Sequence, residues 1–353
     1  MIYAIILAGG RGERFWPRSR KQLPKQLLNI FDTKTMVETT IERISPLVTK
    51  ERIFIVANED IKNSLLSINL KIPSQNYLFE PMGRNTTPAI GLAAYNLFDI
   101  DAESIMVVLP ADHVITERQS FLNCIEKAVD ISQREYLVAF GIVPTRAETG
   151  YGYIESGKKI SDGVCEVKRF KEKPSQKKAN EFIKNGKFLW NCGIFIWKTG
   201  VIIEEFHRFQ PEFAREMENY FEIGDKSERK KVLGKIYAKT ESISIDYAIM
   251  EKASRVAVVR ASFGWDDVGS WNALERFSKK DKNSNTIIGD AVSIDTKNSI
   301  IVSESGVVGI IGVSNLVVVH TEDATLVLPK DRAQEVKEIV RRLNAHKRLK
   351  RYT

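Results

Sequence analysis

Residues 2–17 read Ile2-Tyr3-Ala4-Ile5-Ile6-Leu7-Ala8-Gly9-Gly10-Arg11-Gly12-Glu13-Arg14-Phe15-Trp16-Pro17. An apolar run that passes directly into a glycine-rich, arginine-bearing loop describes a buried strand delivering a loop at its carboxyl end. Glycines let backbone approach phosphate oxygens, and their amides can donate to them. From Arg11 to Lys25 the chain carries Arg11, Arg14, Arg18, Arg20, Lys21 and Lys25 against the single acid Glu13. A triphosphate, with about four negative charges, suits such a cradle, Arg clamping in bidentate fashion and Lys acting as a point charge. Other glycine loops fail on spacing. Phe15 stands where a dinucleotide fingerprint needs Gly or Ala, and no GxxxxGK[ST] occurs.

Outward from this loop, apolar runs alternate with helical patterns: Met36 to Ser45 as helix, Arg52 to Ala57 as strand, Asn85 to Asp99 as helix, Ser104 to Leu109 as strand, Ser120 to Gln133 as helix, Tyr136 to Gly141 as strand. Short strands apolar throughout and separated by helices indicate a parallel sheet covered on both faces, with ligands at its carboxyl edge. The loops after Leu7, Leu109 and Phe140 are therefore the places where a site is expected. After about Asn283 the texture changes to closely spaced β segments, Thr286 to Ile294, Ser299 to Val302, Val307 to Ile311, Leu316 to His320 and Thr325 to Leu328, a small all-β appendage. A final helix follows, with Asp331 as its expected cap and Ala333, Val336, Ile339, Val340 and Leu343 on one face.

The 353 residues, 43% apolar and 28% charged, suit one large globular domain with a small addition. The formal charge of +8 is local: residues 332–353 hold eight Lys or Arg against Glu335 and Glu338, leaving only +2 for the remainder. A solvated basic helix end is the expected reading of that tail, and no zinc-finger, RNP or helix-turn-helix pattern supports a nucleic-acid partner. No apolar run approaches the roughly 20 residues that span a bilayer. Cys124, Cys165 and Cys192 have neither CxxC spacing nor an even count, so neither a disulfide framework nor a zinc site is expected, and the cytoplasm is the expected compartment.

At Gly9 to Pro17, followed by Pro24-Lys25-Gln26, the chain resembles the mannose-1-phosphate guanylyltransferase family of sugar nucleotidylyltransferases. The resemblance continues in order through Glu80 to Ala89, Leu109-Pro110-Ala111-Asp112-His113, Gly150 to Ile154, Phe170-Lys171-Glu172-Lys173-Pro174, Trp190 to Phe195, Ser244-Ile245-Asp246-Tyr247 and Gly264 to Trp271. It implies an α/β fold: a Rossmann-like nucleotidyltransferase domain with a mixed, mainly parallel sheet over residues 1–282. Residues 283–353 would form a small C-terminal left-handed β-helix-like domain with a terminal helix, and a homodimer is implied.

Two carboxylates distant in sequence, Asp112 after a strand and Asp267 in a Trp- and Gly-bounded turn, suit Mg2+, which prefers one or two carboxylates plus phosphate oxygens and water. The resemblance implies the same pair, although Asp266 stands where relatives often carry Ser. It also implies GMP transfer from GTP to mannose 1-phosphate, with Arg14, Lys25, Asp112 and Asp267 performing the chemistry. Nucleotide contacts are expected from Leu7, Gly9, Gly10, Arg11, Gly12, Glu80, Gly83, Arg84, Asn85 and Thr86, and sugar contacts from Gly150, Tyr151, Glu172, Lys173, Asn191 and Asp267. A carboxylate such as Glu80 can accept the N1–H and N2–H2 donors of guanine, whereas Asn85 and Thr86 are equally readable as helix caps. Another sugar 1-phosphate, such as a heptose phosphate, or a non-catalytic nucleotide-sugar sensor are the alternatives. Some relatives carry a cupin-like isomerase domain after the transferase; with the chain ending at Thr353, no phosphomannose isomerase activity is expected.

Overall fold

In the computed structural model, which describes residues 1–353 except the side chain at position 226, the apolar opening forms strand β1 (Ile2–Leu7), with Ala4, Ile5 and Ile6 wholly buried. Burial on both faces explains why the run lacks polar alternation. Helix α1 (Met36–Ile44) follows, closed at its start by a capping box between Thr35 and Glu38. Then come β2 (Ile53–Asn58), α2 (Lys62–Ser67), β3 (Tyr77–Glu80), α3 (Thr86–Ile100), β4 (Ile105–Pro110), the short β5 (Val114–Ile115), α4 (Arg118–Ser132) and β6 (Leu137–Ile142). A hairpin of β7 (Gly152–Ser161) and β8 (Val164–Lys171) leads through α5 (Gln176–Asn185) to the long β9 (Phe188–Lys198). Helices α6 (Thr199–Phe209), α7 (Pro211–Glu222) and α8 (Lys226–Lys239), then β10 (Val256–Ala261), β11 (Trp265–Asp266) and α9 (Leu274–Phe277), complete this part.

The main sheet runs β3-β2-β1-β4-β9-β6-β10-β8-β7. β1 pairs in parallel with β2 and β4, and β10 with β6, as the alternating pattern requires. One departure matters. The alternating pattern by itself reads as a parallel series, whereas the family resemblance implies a mixed sheet, and the sheet is mixed: β9 enters between β4 and β6 antiparallel to both. An apolar strand buried on both faces carries no local mark of its direction; the long hairpin excursion through β7 and β8 decides it. One core face packs α1 and α4 on the sheet and the other packs α3, α6 and α7.

Beyond α9 the chain coils through β12 (Thr286–Ile288), β13 (Ala291–Ile294), β14 (Ile300–Ser303), β15 (Val308–Ile311), β16 (Leu316–His320) and β17 (Thr325–Pro329). β12, β14 and β16 stack in parallel, as do β13 and β15 on a second face. The single segment expected from Thr286 to Ile294 is broken at Gly289, whose φ of 81° turns the corner and whose missing Cβ leaves room for the Ser303 carbonyl. The last helix, α10 (Val336–Ala345), starts later than the sequence suggests. Lys330–Glu335 is a 3-10 turn, and Asp331 makes no capping bond. Phe15, Trp16, Leu28, Val268 and Trp271 share one apolar cluster with Ile300, Val317, Val336 and Val340. The glycine-rich loop, the Asp267 turn, the coils and α10 are thereby packed into one body.

Candidate active site

The loop after β1 is shaped by its own contacts. Gln26 Nε2 donates to the carbonyls of Ala8 (2.5 Å) and Gly10 (3.0 Å), and Asn58 Nδ2 to that of Gly9 (2.9 Å). Gly12 is left-handed at φ 62°, and a Cβ there would run into Lys25. This glycine is required twice, for its backbone conformation and for the close approach of the Lys25 segment. Phe15 is buried and the Trp16 carbonyl accepts from Trp271 Nε1 at 3.1 Å, which leaves Arg14, between Glu13 and Phe15, facing out.

Lys25 joins the two carboxylates singled out in the sequence. Its side chain is 5% exposed, with Nζ 2.8 Å from Asp112 Oδ2 and 2.7 Å from the Asp267 carbonyl. Burial tends to raise the Asp112 carboxyl, but the Lys25 ammonium, with His113 and its hydrogen bonds, outweighs this and holds it below the usual value. Asp267 goes the other way. Burial raises it, and the neighbouring carboxylates Asp266 and Asp112 raise it further, against the hydrogen bond from Tyr151 Oη (2.7 Å) and the charge of Lys25.

Asp266 is occupied elsewhere. Its carboxylate accepts both Arg276 Nε (2.6 Å) and Nη2 (2.8 Å), and Oδ1 also accepts the Val268 amide at 2.8 Å. That amide bond closes the turn in which Val268 takes a φ of 49°, an uncommon conformation for a β-branched residue held here by complete burial. The geometry thus turns Asp266 inward as the support of the loop and leaves Asp267 facing the site. His113, beside Asp112, accepts from Trp265 Nε1 at 3.1 Å on Nδ1, and burial lowers its pKa to about 4, so it is a neutral ring.

Two cavities meet at Asp112, His113 and Asp267. The smaller, ≈ 360 Å³, is walled by Arg11, Gly12, Arg14, Lys25 and, from α10, Lys337. The larger, ≈ 430 Å³, gathers Leu7, Gly9, Gly10, Glu80, Gly83, Asn85 and Thr86 on one side and Gly150, Tyr151, Glu172, Lys173 and Asn191 on the other. A basic chamber and a mixed polar chamber sharing two carboxylates can hold a polyphosphate in one and two organic groups in the other, with their junction at the carboxylates. Gly152 makes room for Glu172, since a Cβ there would collide with its carboxylate. Glu80 is 2% exposed, and its Oε1 has no partner. Burial pushes its pKa up to about 8, and a nearby Tyr237 hydroxyl offsets only part of the rise.

Arg84 is the exception among the sequence candidates. Its guanidinium donates to the carbonyls of Tyr237 (2.9 Å) and Ala238 (3.2 Å) and does not line either chamber, so it ties the loop to α8. Asn85 and Thr86 line the larger chamber. Asn85 also caps α3, its Oδ1 accepting the Thr86 amide at 2.9 Å, whereas Thr86 Oγ1 accepts the Ile245 amide at 2.9 Å and so ties the start of α3 to the segment before Asp246. Sequence reasoning passed over Asp246, whose Oδ1 accepts from Asn191 Nδ2 at 2.6 Å on the floor of the larger chamber. The Ser-Ile-Asp-Tyr run containing it was a usable signal. The basic tail is exposed, as expected, and one of its residues, Lys337, also stands in the wall of the smaller chamber. No local signal marks Lys337, which is one of eight basic residues in that tail.

The comparisons with known proteins agree with this geometry. A family model described as nucleotidyl transferase matches residues 3–284, which sets the class, and one described as MannoseP isomerase/GMP-like beta-helix domain matches residues 289–343. A mannose-1-phosphate guanylyltransferase of Escherichia coli is 38% identical over 354 residues, covering 97% of this chain and 76% of its own length. One from Salmonella muenchen is 39% identical, with 98% and 74% covered, and the alginate biosynthesis protein AlgA of Pseudomonas putida is 38% identical, with 98% and 72% covered. A crystal structure from Thermus thermophilus, described as a mannose-1-phosphate geranyltransferase, matches with a TM-score of 0.89 at 38% identity, covering 97% of this chain and 99% of that one. The chain belongs to the mannose-1-phosphate guanylyltransferase family.

Proposed function

We propose that the protein transfers GMP from GTP to α-D-mannose 1-phosphate, giving GDP-mannose and pyrophosphate. A phosphate oxygen of the sugar phosphate forms a bond to the α-phosphorus as the bond to the α,β-bridging oxygen breaks, and the electron pair leaves with pyrophosphate. The nucleophile is already anionic, so no strong base is needed. What the protein must do is hold two mutually repelling anions in line and neutralise the charge that develops. Arg14 and Lys25 are suited to the phosphates, with Arg11 and the amides of Gly9, Gly10 and Gly12 toward the leaving group. Gly150, Tyr151, Glu172, Lys173 and Asn191 are suited to the sugar.

The observation that carries the choice of base is Glu80. A buried carboxylate with an unpartnered oxygen costs free energy unless a donor meets it, and the N1–H and N2–H2 edge of guanine supplies two. Asp112 and Asp267 would hold Mg2+ or a similar cation. Both are hard oxygen donors, and Asp267 has carboxylate neighbours that a cation would relieve; phosphate oxygens and water would complete the coordination of such an ion. Such a cation supplies charge neutralisation at the α-phosphate.

In this reading residues 1–282 bind both substrates and 283–353 form the β-helix-like addition. It also makes the protein a cytoplasmic homodimer without a nucleic-acid or membrane partner. No helix among the described residues is long and apolar enough to cross a membrane, and the exposed Val292, Ile294, Val307 and Ile311 offer apolar surface for a second copy. A monomer at assay concentration in sedimentation would remove the dimer.

The central test is pyrophosphate release with Mg2+, pairing GTP, ATP, UTP and dTTP each with mannose, glucose and heptose 1-phosphates, with Asp267→Ala alongside. Release with GTP and mannose 1-phosphate alone, lost in the variant, is the expected result. Turnover with another pair would move the substrate, and binding without turnover would leave a sensor.

A further inference from the structure

The apolar face of α10 is committed: Val336 and Val340 are buried in the cluster that also holds Phe15 and Trp16. Trp16 Nε1 further donates to the Tyr352 carbonyl at 2.8 Å, tying the tail to the same loop. This packing sets one edge of the helix beside the glycine-rich loop and brings Lys337 into the wall of the chamber that contains Arg14, Lys25, Asp112 and Asp267. The cations of that chamber are not equally available. Lys25 is held by Asp112 and the Asp267 carbonyl, and Arg11 lies 3.8 Å from Glu13. Lys337 makes no ion pair or side-chain hydrogen bond among the described residues, although its neighbour Glu338 is shared by Arg341 and Arg342.

Lys337 also has a defined position along the chamber. Together with Arg11 and Glu13 it lines a second cavity of ≈ 590 Å³, which continues away from the carboxylates between the loop and α10. Arg20, Lys21, Arg341 and Lys350 line that cavity as well. Lys337 therefore sits at the end of the phosphate chamber remote from the polar chamber where the base and sugar would lie. A chain of phosphates entering from the carboxylate junction points its terminal group there, and the positive field continues beyond it.

We propose that Lys337 is a phosphate-binding residue of this site, meeting the β,γ end of the nucleoside triphosphate and the pyrophosphate that leaves, so that the appended domain supplies part of the transferase's own substrate site. The inference rests on the guanylyltransferase reading for the identity of the nucleotide, though not for the class of ligand. Lys337→Met keeps the stem of the side chain and removes the charge; Lys337→Arg keeps the charge; Lys350→Met, in the outer cavity only, is the control.

In the full-length protein, Lys337→Met is expected to raise KM for GTP in the forward direction and for pyrophosphate in the reverse direction by about five- to tenfold, the worth of one exposed charge-assisted contact. KM for mannose 1-phosphate and the melting temperature should not move, Lys337→Arg should restore most of the loss, and Lys350→Met should behave as wild type. Unchanged KM values for GTP and pyrophosphate would overturn the proposal. So would a rise shared equally by mannose 1-phosphate, or a rise reproduced by Lys350→Met, because either means a general effect of fold or field. Direct titration of inorganic pyrophosphate with Mg2+ separates the two levels. Loss of pyrophosphate affinity in Lys337→Met, with no wild-type turnover of any pair, would retain Lys337 and discard the guanylyltransferase reading.

Discussion

Glu80 holds its proton at neutral pH, because burial pushes its pKa up to about 8 from an ordinary 4.5. A carboxyl whose folded value is raised favours folding fully below pH 4.5, and that contribution falls away as pH rises through 8. Guanine donors require the ionised form, so GTP binding at pH 7 should release close to one proton. Calorimetry in buffers of different ionisation enthalpy should reveal it, and Glu80→Gln should abolish it while flattening the loss of stability from pH 4.5 to 8. Buffer-independent heats in the wild type would remove Glu80 from base recognition. Asp266 illustrates a different outcome of neighbouring residues. Its pairing with Arg276 leaves the adjacent Asp267 to face the chambers, so Arg276→Ala should lower stability in urea by about 2 kcal/mol, a value held down by the partly exposed guanidinium. Activity should fall with it as the Val268 turn relaxes. Residue type alone does not separate Asp266 from Asp267; the family motif favours Asp267, and the position of Arg276, ten residues along and folded back, supplies the physical reason.

Elements whose cause is local were readable from local pattern. β1 announces itself by apolar continuity, α1 by the helical pattern from Met36 to Ser45, and β16 coincides with the run from Leu316 to His320. The loop after β1 was readable for the same reason, since its glycines serve its own geometry. Gly12→Ala brings this to a test: the left-handed backbone and the collision with Lys25 together should cost about 1–3 kcal/mol. Because Lys25 would be displaced from Asp112, the fall in kcat should exceed what thermal melting accounts for. A variant with wild-type kcat and a lowered melting temperature would show that the loop positions nothing. The direction of β9, the break at Gly289 and the late start of α10 were not readable, because partners far away in the chain decide them: β4 and β6 for the first, Ser303 for the second, and the packing of Val336 for the third.

At the scale of the molecule, one apolar cluster connects the transferase loop to the coils and to α10. Val336→Ala should cost about 2 kcal/mol through the cavity it leaves. If α10 forms a wall of the phosphate chamber, the same change should raise KM for GTP more than KM for mannose 1-phosphate, which steady-state kinetics well below the melting temperature would read. Equal changes would make α10 a support only. The amino-acid sequence by itself determined the strand-loop start, the basic cradle, the ordered motifs that carry the family and the β texture of the last fifth, because each depends on residues that are neighbours in the chain. Only the tertiary structure decided that Asp112 and Asp267 meet over Lys25, that Arg84 turns away to α8 and that Lys337 reaches the phosphate chamber. Those are relations between residues far apart in sequence, and burial of shared apolar surface, which has no direction of its own, is what brings them together.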